Sequence, residues 1–336
     1  MKMRLWYSVF FAFTLIYSVE AQQLMGEKLA GLVQVDTFPS RLLQTRTAVL
    51  LGGDIKNQQE WERITGIIHD NLRKPGIDAV AYYRIEQIYA GVEVTRSFAL
   101  DLMKREINNL VLVNYKPDIS QVAILVPDYT KGLVTPQQPA WMASGRLDRV
   151  MFQVYAQSAN AKLVRTNFLV NDLPEDGLMT DPISGRRAQF FSLTLNEGKM
   201  AVPQWGKATE DSLLVETLRQ HYPYEFGLVD ALDSDVELTR MGYSYVFRYV
   251  EGPGELVKDL LKYSKEQGVT DYVTIKWRND ASAVKTIPIT DKVFKFYIKH
   301  LRSGTTFLGT EWDADISWQE ALINHINSFK HEVGVQ

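Results

Sequence analysis

The 336-residue chain contains no cysteine. That absence removes disulfides, a thiolate nucleophile, thiolate-held zinc or iron-sulfur clusters, and acylation of an amino-terminal thiol. Neither sign of charge is in useful excess: 37 Lys+Arg stand against 40 Asp+Glu, a formal net charge of −3. So even a balance offers no electrostatic footprint for nucleic acid and no polybasic patch for anionic lipid. Histidine is sparse as well, and His69, His221, His300, His325 and His331 include no pair at the i, i+4 spacing of a zinc-binding helix.

Several catalytic signatures are missing. Gly52-Gly53-Asp54 follows an apolar run, but no Gly-Lys-Ser/Thr comes after it and the third glycine of a dinucleotide fingerprint is lacking, so a tight strand-to-helix turn is the reading. Ser144 sits in Ala-Ser-Gly, outside the Gly-x-Ser-x-Gly elbow of a hydrolase. Asp233, Asp235 and Glu237 alternate like a calcium loop, yet Leu238 and Ser244 occupy the positions where an EF-hand needs Gly and Glu. A solvated turn fits them better.

What is present begins with a leader pattern. Lys2 and Arg4 precede an apolar run over residues 5–17, and Val19 and Ala21 place small residues where a signal peptidase reads. The run is about 13 residues against the roughly 20 of a membrane-crossing helix. The expectation is a cleaved signal peptide, residues 1–21, and a mature protein in the periplasm or secreted, with no integral membrane segment. Removing Lys2, Arg4 and Glu20 leaves 35 basic and 39 acidic residues.

With 46% hydrophobic and 11% aromatic residues, an exported chain without disulfides can be held by its core alone. Strands are expected at 47–51, 79–85, 110–115 and 121–126. Asn57 with Glu60 starts a helix carrying Trp61, Ile64, Ile68 and Leu72 on one face. Residues 128–147, with Pro136, Pro139 and Trp141, read as a long loop, and 151–170 as an aromatic hairpin. A strand at 189–195 and a helix at 212–220 follow. Strands are then expected at 226–229, 243–249, 272–277, 285–289 and 293–300, with a helix at 255–267. Ser317 with Glu320 caps a last helix through Phe329.

The resulting organisation is a lead-in at 22–46, a first α/β module at 47–170, a turn-rich connection at 171–211, a second α/β module at 212–330 and a tail at 331–336. The fold class is α/β (α+β), two similar tandem modules of helices on mixed or antiparallel sheets. Tyr83-Arg84-Ile85 echoes Phe247-Arg248-Tyr249, and Phe152-Gln153-Val154-Tyr155 echoes Phe294-Lys295-Phe296-Tyr297, as a duplication would. In this order of elements the halves resemble the small α/β modules of bacterial envelope-assembly proteins such as the amino-terminal domain of the TolB type. The resemblance implies a fold and transfers no residue role.

Two functional readings remain. The first is a non-enzymatic binding or assembly component of the cell envelope or secreted fraction. It would contact a protein partner through sheet edges and loop aromatics, with Trp141, Trp205 and Trp312 as contact residues and no cofactor. The alternative is a secreted hydrolase acting on glycan or peptide through paired carboxylates. Its residues would come from the acidic or metal cluster Glu311, Asp313 and Asp315. Acidic residues ahead of a helix also serve its dipole with no other role.

Overall fold

The computed structural model describes residues 23–172, 174–176, 181–264, 269–278 and 281–335, so the signal-peptide reading falls outside the described residues. The described residues divide into two compact units, those of 23–89 with 95–176 and those of 90–94 with 181–335.

In the first unit, helix α1 (23–30) and strand β1 (Val33–Val35) lead into β2 (Arg46–Gly53), α2 (Gln58–Arg73), β3 (Asp78–Arg84) and the short α3 (Ile85–Ile88). There follow α4 (Val92–Lys104), whose residues from Thr95 on belong to this unit, β4 (Ile107–Tyr115), β5 (Ser120–Leu125), β6 (Pro139–Gly145), α5 (Leu147–Asn160) and β7 (Glu175–Asp176). The sheet order is β1-β6-β5-β4-β2-β3-β7. β2 lies parallel to β3 and β4, and β4, β5 and β6 form an antiparallel meander. As the strand between two parallel neighbours, β2 is buried from Thr47 to Gly53 and is accordingly a near-continuous apolar run.

The start of α2 is as the sequence implies. The Asn57 side chain accepts the Glu60 N–H at 2.9 Å, and the Glu60 carboxylate accepts the Lys56 N–H at 3.0 Å. Trp61, Ile64, Ile68 and Leu72 are all buried. Gly53 has φ 112°, and a Cβ there would lie 2.0 Å from the Tyr115 carbonyl oxygen, so only glycine permits this close approach of backbones.

Two expected elements are different in the structure. Residues 151–155 are helical, inside α5, with Leu147, Val150, Met151, Val154 and Ser158 buried at three- and four-residue spacing against α2, β5 and β6. Their aromatic and β-branched content suits a strand, but the period places the buried side chains. Residues 162–170 form no strand; the N–H groups of Thr166 and Asn167 both reach the Leu43 carbonyl at 3.1 Å. The presumed loop 128–147 contains β6, whose Pro139 takes the first strand position, where a missing N–H is tolerated.

The second unit contains β8 (Arg187–Ala188), a 3-10 turn (Leu193–Glu197), β9 (Met200–Pro203), α6 (Ala208–His221), β10 (Phe226–Val229) and α7 (Asp235–Arg240). Next come β11 (Tyr245–Pro253), α8 (Gly254–Leu261), β12 (Asp271–Arg278), β13 (Ala281–Pro288), β14 (Lys292–His300), β15 (Thr306–Phe307) and α9 (Trp318–Val333). Its main sheet runs β10-β9-β11-β14-β15-β8, while β12 and β13 form a separate antiparallel hairpin. Residues 181–211 therefore supply two strands to this sheet, and 189–195 yields the 3-10 turn in place of a strand. The core is aromatic, with Phe329 of α9 packed in one cluster with Tyr222, Phe247 and Phe296.

The class is mixed α/β, as expected. The likeness between halves does not extend to topology, because the two sheets have different strand orders and Phe152–Tyr155 is helical where its supposed echo, 294–297, lies in β14. Among the described residues no helix is long and apolar enough to cross a membrane.

Candidate functional site

The first unit carries a cleft of about 870 Å³ between residues 35–39 and the chain from 126 to 141. That volume lies in the range of ligand sites, roughly 300–1,000 Å³. After β5 the chain turns through an isolated bridge: the Asp128 N–H donates to the Leu133 carbonyl at 3.0 Å and the Leu133 N–H returns to Asp128 at 2.9 Å. The Asp128 carboxylate closes the turn by accepting the Thr130 hydroxyl at 2.7 Å and its N–H at 3.0 Å. These bonds hold its pKa below the usual carboxylate value, so the cleft carries a negative charge at neutral pH.

The far side is tied as firmly. The Gln137 N–H donates to the Gly31 carbonyl at 2.7 Å, the Thr135 N–H to the Gln138 side-chain oxygen at 2.9 Å, and the Gln138 amide to the Val126 carbonyl. Leu133 and Gln137 both adopt left-handed backbone, with φ of 72° and 64°. Such conformations cost of order 1–2 kcal/mol in residues other than glycine, so the surrounding bonds over-determine this loop.

Trp141 is a buried β6 residue, 4% exposed, and not a loop contact as expected. Its ring lies 4.8 Å from that of Phe38, and together they wall the cleft. Tyr129 completes the aromatic lining; its hydroxyl donates a hydrogen bond to the Ile107 carbonyl, and burial pushes its pKa up. Apart from that committed phenol, Asp128 is the one ionisable side chain among the described residues that line the cleft. Among the described lining residues no second carboxylate, histidine or lysine stands with it to serve as an acid-base pair.

Trp205 and Trp312 belong to the second unit and to separate ring clusters. Trp205 packs on Tyr249 at 4.7 Å and Trp318 at 5.2 Å, beside a small cavity of about 100 Å³. Trp312 stands between Tyr263 and Tyr272, with the Lys258 ammonium 5.1 Å from its ring centre. Both are half-buried.

The acidic cluster is dismantled by lysines. Asp313, at 0% exposure, lies 2.7 Å from the Lys295 ammonium and 3.0 Å from His325 Nδ1, both also 0% exposed. Lys295 further donates to the Leu308 carbonyl at 2.8 Å. Burial alone would raise the Asp313 pKa, but Lys295 and His325 together hold it below the usual value. Asp315 lies 2.8 Å from both Lys276 and Lys285. Glu311, half-buried, joins neither group. Two of the three expected carboxylates are thus neutralised inside the fold, and no group of three or more His, Asp or Glu among the described residues is placed to hold a metal. The calcium-like stretch resolves similarly. Ser234 and Glu237 form the capping box of α7, and Asp235 pairs with Lys299 at 2.9 Å and Arg248 at 3.0 Å.

Sequence reasoning missed the buried Lys295–Asp313–His325 group. Its one visible signal was a lysine inside the aromatic strand Phe294-Lys295-Phe296-Tyr297, since a lysine is almost never fully buried unless paired. No protein-family model, curated protein or solved structure matches this chain, so the likeness in element order to envelope-assembly modules gains no support.

Proposed function

We propose that this chain is an exported, non-enzymatic binding or assembly component, acting in the periplasm or after secretion, and that the cleft of the first unit seats an extended segment of a protein partner. The observation that carries the reading is the lining: two aromatic walls, prolines, side-chain amides and a single carboxylate without an acid-base partner. Such a surface suits apolar side chains and the N–H groups of an extended chain. The bonds that lock the loop reduce the entropy cost of binding. The leader pattern supports export. The hydrolase alternative draws no support from the lysine-paired Asp313 and Asp315.

The test is site-specific photocrosslinking in the producing cells. A benzophenone amino acid at exposed Gln137 is expected to capture a discrete protein that the same group at exposed Glu62 on α2 does not. Equal labelling at both sites, together with turnover of glycans or peptides by the purified protein, would refute the binding reading.

A further inference from the structure

Among the described residues the β12–β13 hairpin has one committed edge and one open edge. On β12 the Ile275 N–H donates to the Trp312 carbonyl at 2.9 Å, and the Trp277 carbonyl accepts the Asn327 side-chain amide at 2.9 Å. These groups point away from β13, so Ile275/Val284 and Trp277/Ser282 are the wide, non-hydrogen-bonded pairs of the hairpin. By the alternation of an antiparallel ladder, the N–H and C=O groups of Ser282, Val284 and Thr286 point outward from β13. Their side chains are exposed, Val284 at 72%. Natural edge strands are guarded by shortness, proline, bulges or charge. β13 is eight residues long, regular in register, and without proline before its last residue. Its only charge, Lys285, is held by Asp315 at 2.8 Å.

We infer that β13 is a self-association edge, pairing antiparallel with β13 of a second copy of this chain about a two-fold axis at Val284. The motivation is self-complementarity. With Val284 opposite Val284, Ser282 falls opposite Thr286 and Lys285 opposite Ala283, so β-branched residues and hydroxyls meet their like and no lysine faces a lysine. The outward groups of the three residues on each strand satisfy one another in about six backbone bonds. An interface of a single added strand is small, which makes the dimer weak and reversible. β13 belongs to the second unit and the cleft to the first, and the inference does not rest on the proposed role of the cleft.

Sedimentation of the purified chain over a concentration series is expected to show a monomer–dimer equilibrium with a Kd of roughly 10–500 µM. Val284→Pro removes an N–H that the hairpin does not use. Val284→Lys sets two ammonium groups across the axis. Each is expected to weaken dimerisation about tenfold or more, and the lysine variant serves if the proline variant fails to fold. Because the chain has no cysteine, Val284→Cys introduces a lone thiol. Directly opposite residues of a hydrogen-bonded pair lie about 5.5 Å apart at Cα, within disulfide range. Under mild oxidation V284C is expected to link into dimers well before Phe152→Cys, a control on exposed Phe152 in α5. A chain that stays monomeric to about 500 µM overturns the inference. So does a dimer that V284P and V284K leave unchanged, or a V284C rate no higher than that of F152C.

Discussion

Replacing Lys295 by methionine isolates what the buried ion pair does. Lys295, Asp313 and His325 are each at 0% exposure, and the ammonium is held by the Asp313 carboxylate at 2.7 Å and the Leu308 carbonyl at 2.8 Å. Methionine has nearly the same length, so the change removes charge with little change of volume. It leaves a buried carboxylate facing one imidazole. Breaking a buried pair from one side typically costs about 3–5 kcal/mol, because the remaining charge stays desolvated. At about 1.4 kcal/mol per decade, hydrogen exchange of β14 and α9 amides that open with the unit is expected to accelerate by roughly two to three and a half orders of magnitude. Converting Asp313 to leucine in the same chain is expected to recover most of that loss, since an apolar pair of similar volume often matches a buried ion pair. The deficit of K295M should also shrink between about pH 8 and pH 5.5. Without the lysine, burial is left as the one influence against imidazolium while Asp313 favours it, and a protonated His325 then restores a cation beside the carboxylate. Exchange mass spectrometry at both pH values reads all three effects. A K295M cost below about 1 kcal/mol, or a double variant no better than the single one, would refute the account.

Burial, and then the neighbouring Lys295 charge, depress the His325 pKa in the intact protein, against the pull of Asp313. The folded state therefore binds fewer protons than the unfolded chain below about pH 6.5, and the contribution of this residue to stability falls as pH drops through that window. His325→Gln is expected to reduce the slope of stability against pH between about 7 and 5, and unchanged slopes would count against the assignment. Trp141→Ala should cost about 3–5 kcal/mol, measured by urea unfolding, because it empties the core beneath β6 where Phe38 packs. A cost under about 1 kcal/mol would return Trp141 to the surface role first expected of it. Gln137→Val forces a β-branched residue into φ 64° and is expected to lower stability by about 1–2 kcal/mol, whereas Gln137→Gly should not lower it. Parallel unfolding curves for the two variants would show that the strain is absent.

Local chemistry made part of this protein readable in advance. Asn57 three residues before Glu60, and Trp61, Ile64, Ile68 and Leu72 after it, specify a capped amphipathic helix through interactions spanning a few residues, and α2 is that helix. The strand at Phe226–Val229 and the apolar run of β2 were legible for the same reason. Composition without period misled at Phe152–Tyr155, where aromatic and β-branched side chains suggested a strand although the burial period is helical. β6 was hidden because a short strand opening on proline looks like loop until its neighbours β5 and β1 are in place. The carboxylates show the limit most plainly. Asp313 and Asp315 read as an open acidic cluster, but their charges are answered by Lys295, Lys276 and Lys285, brought to them from other strands. The cleft, too, exists only once residues 35–39 and 126–141 are brought together by the pairing of β1 with β6. Helix caps and buried runs are properties of neighbouring residues and so belong to the sequence. Which charges are neutralised, and which surfaces become concave, depends on contacts between distant segments that only the tertiary structure brings together.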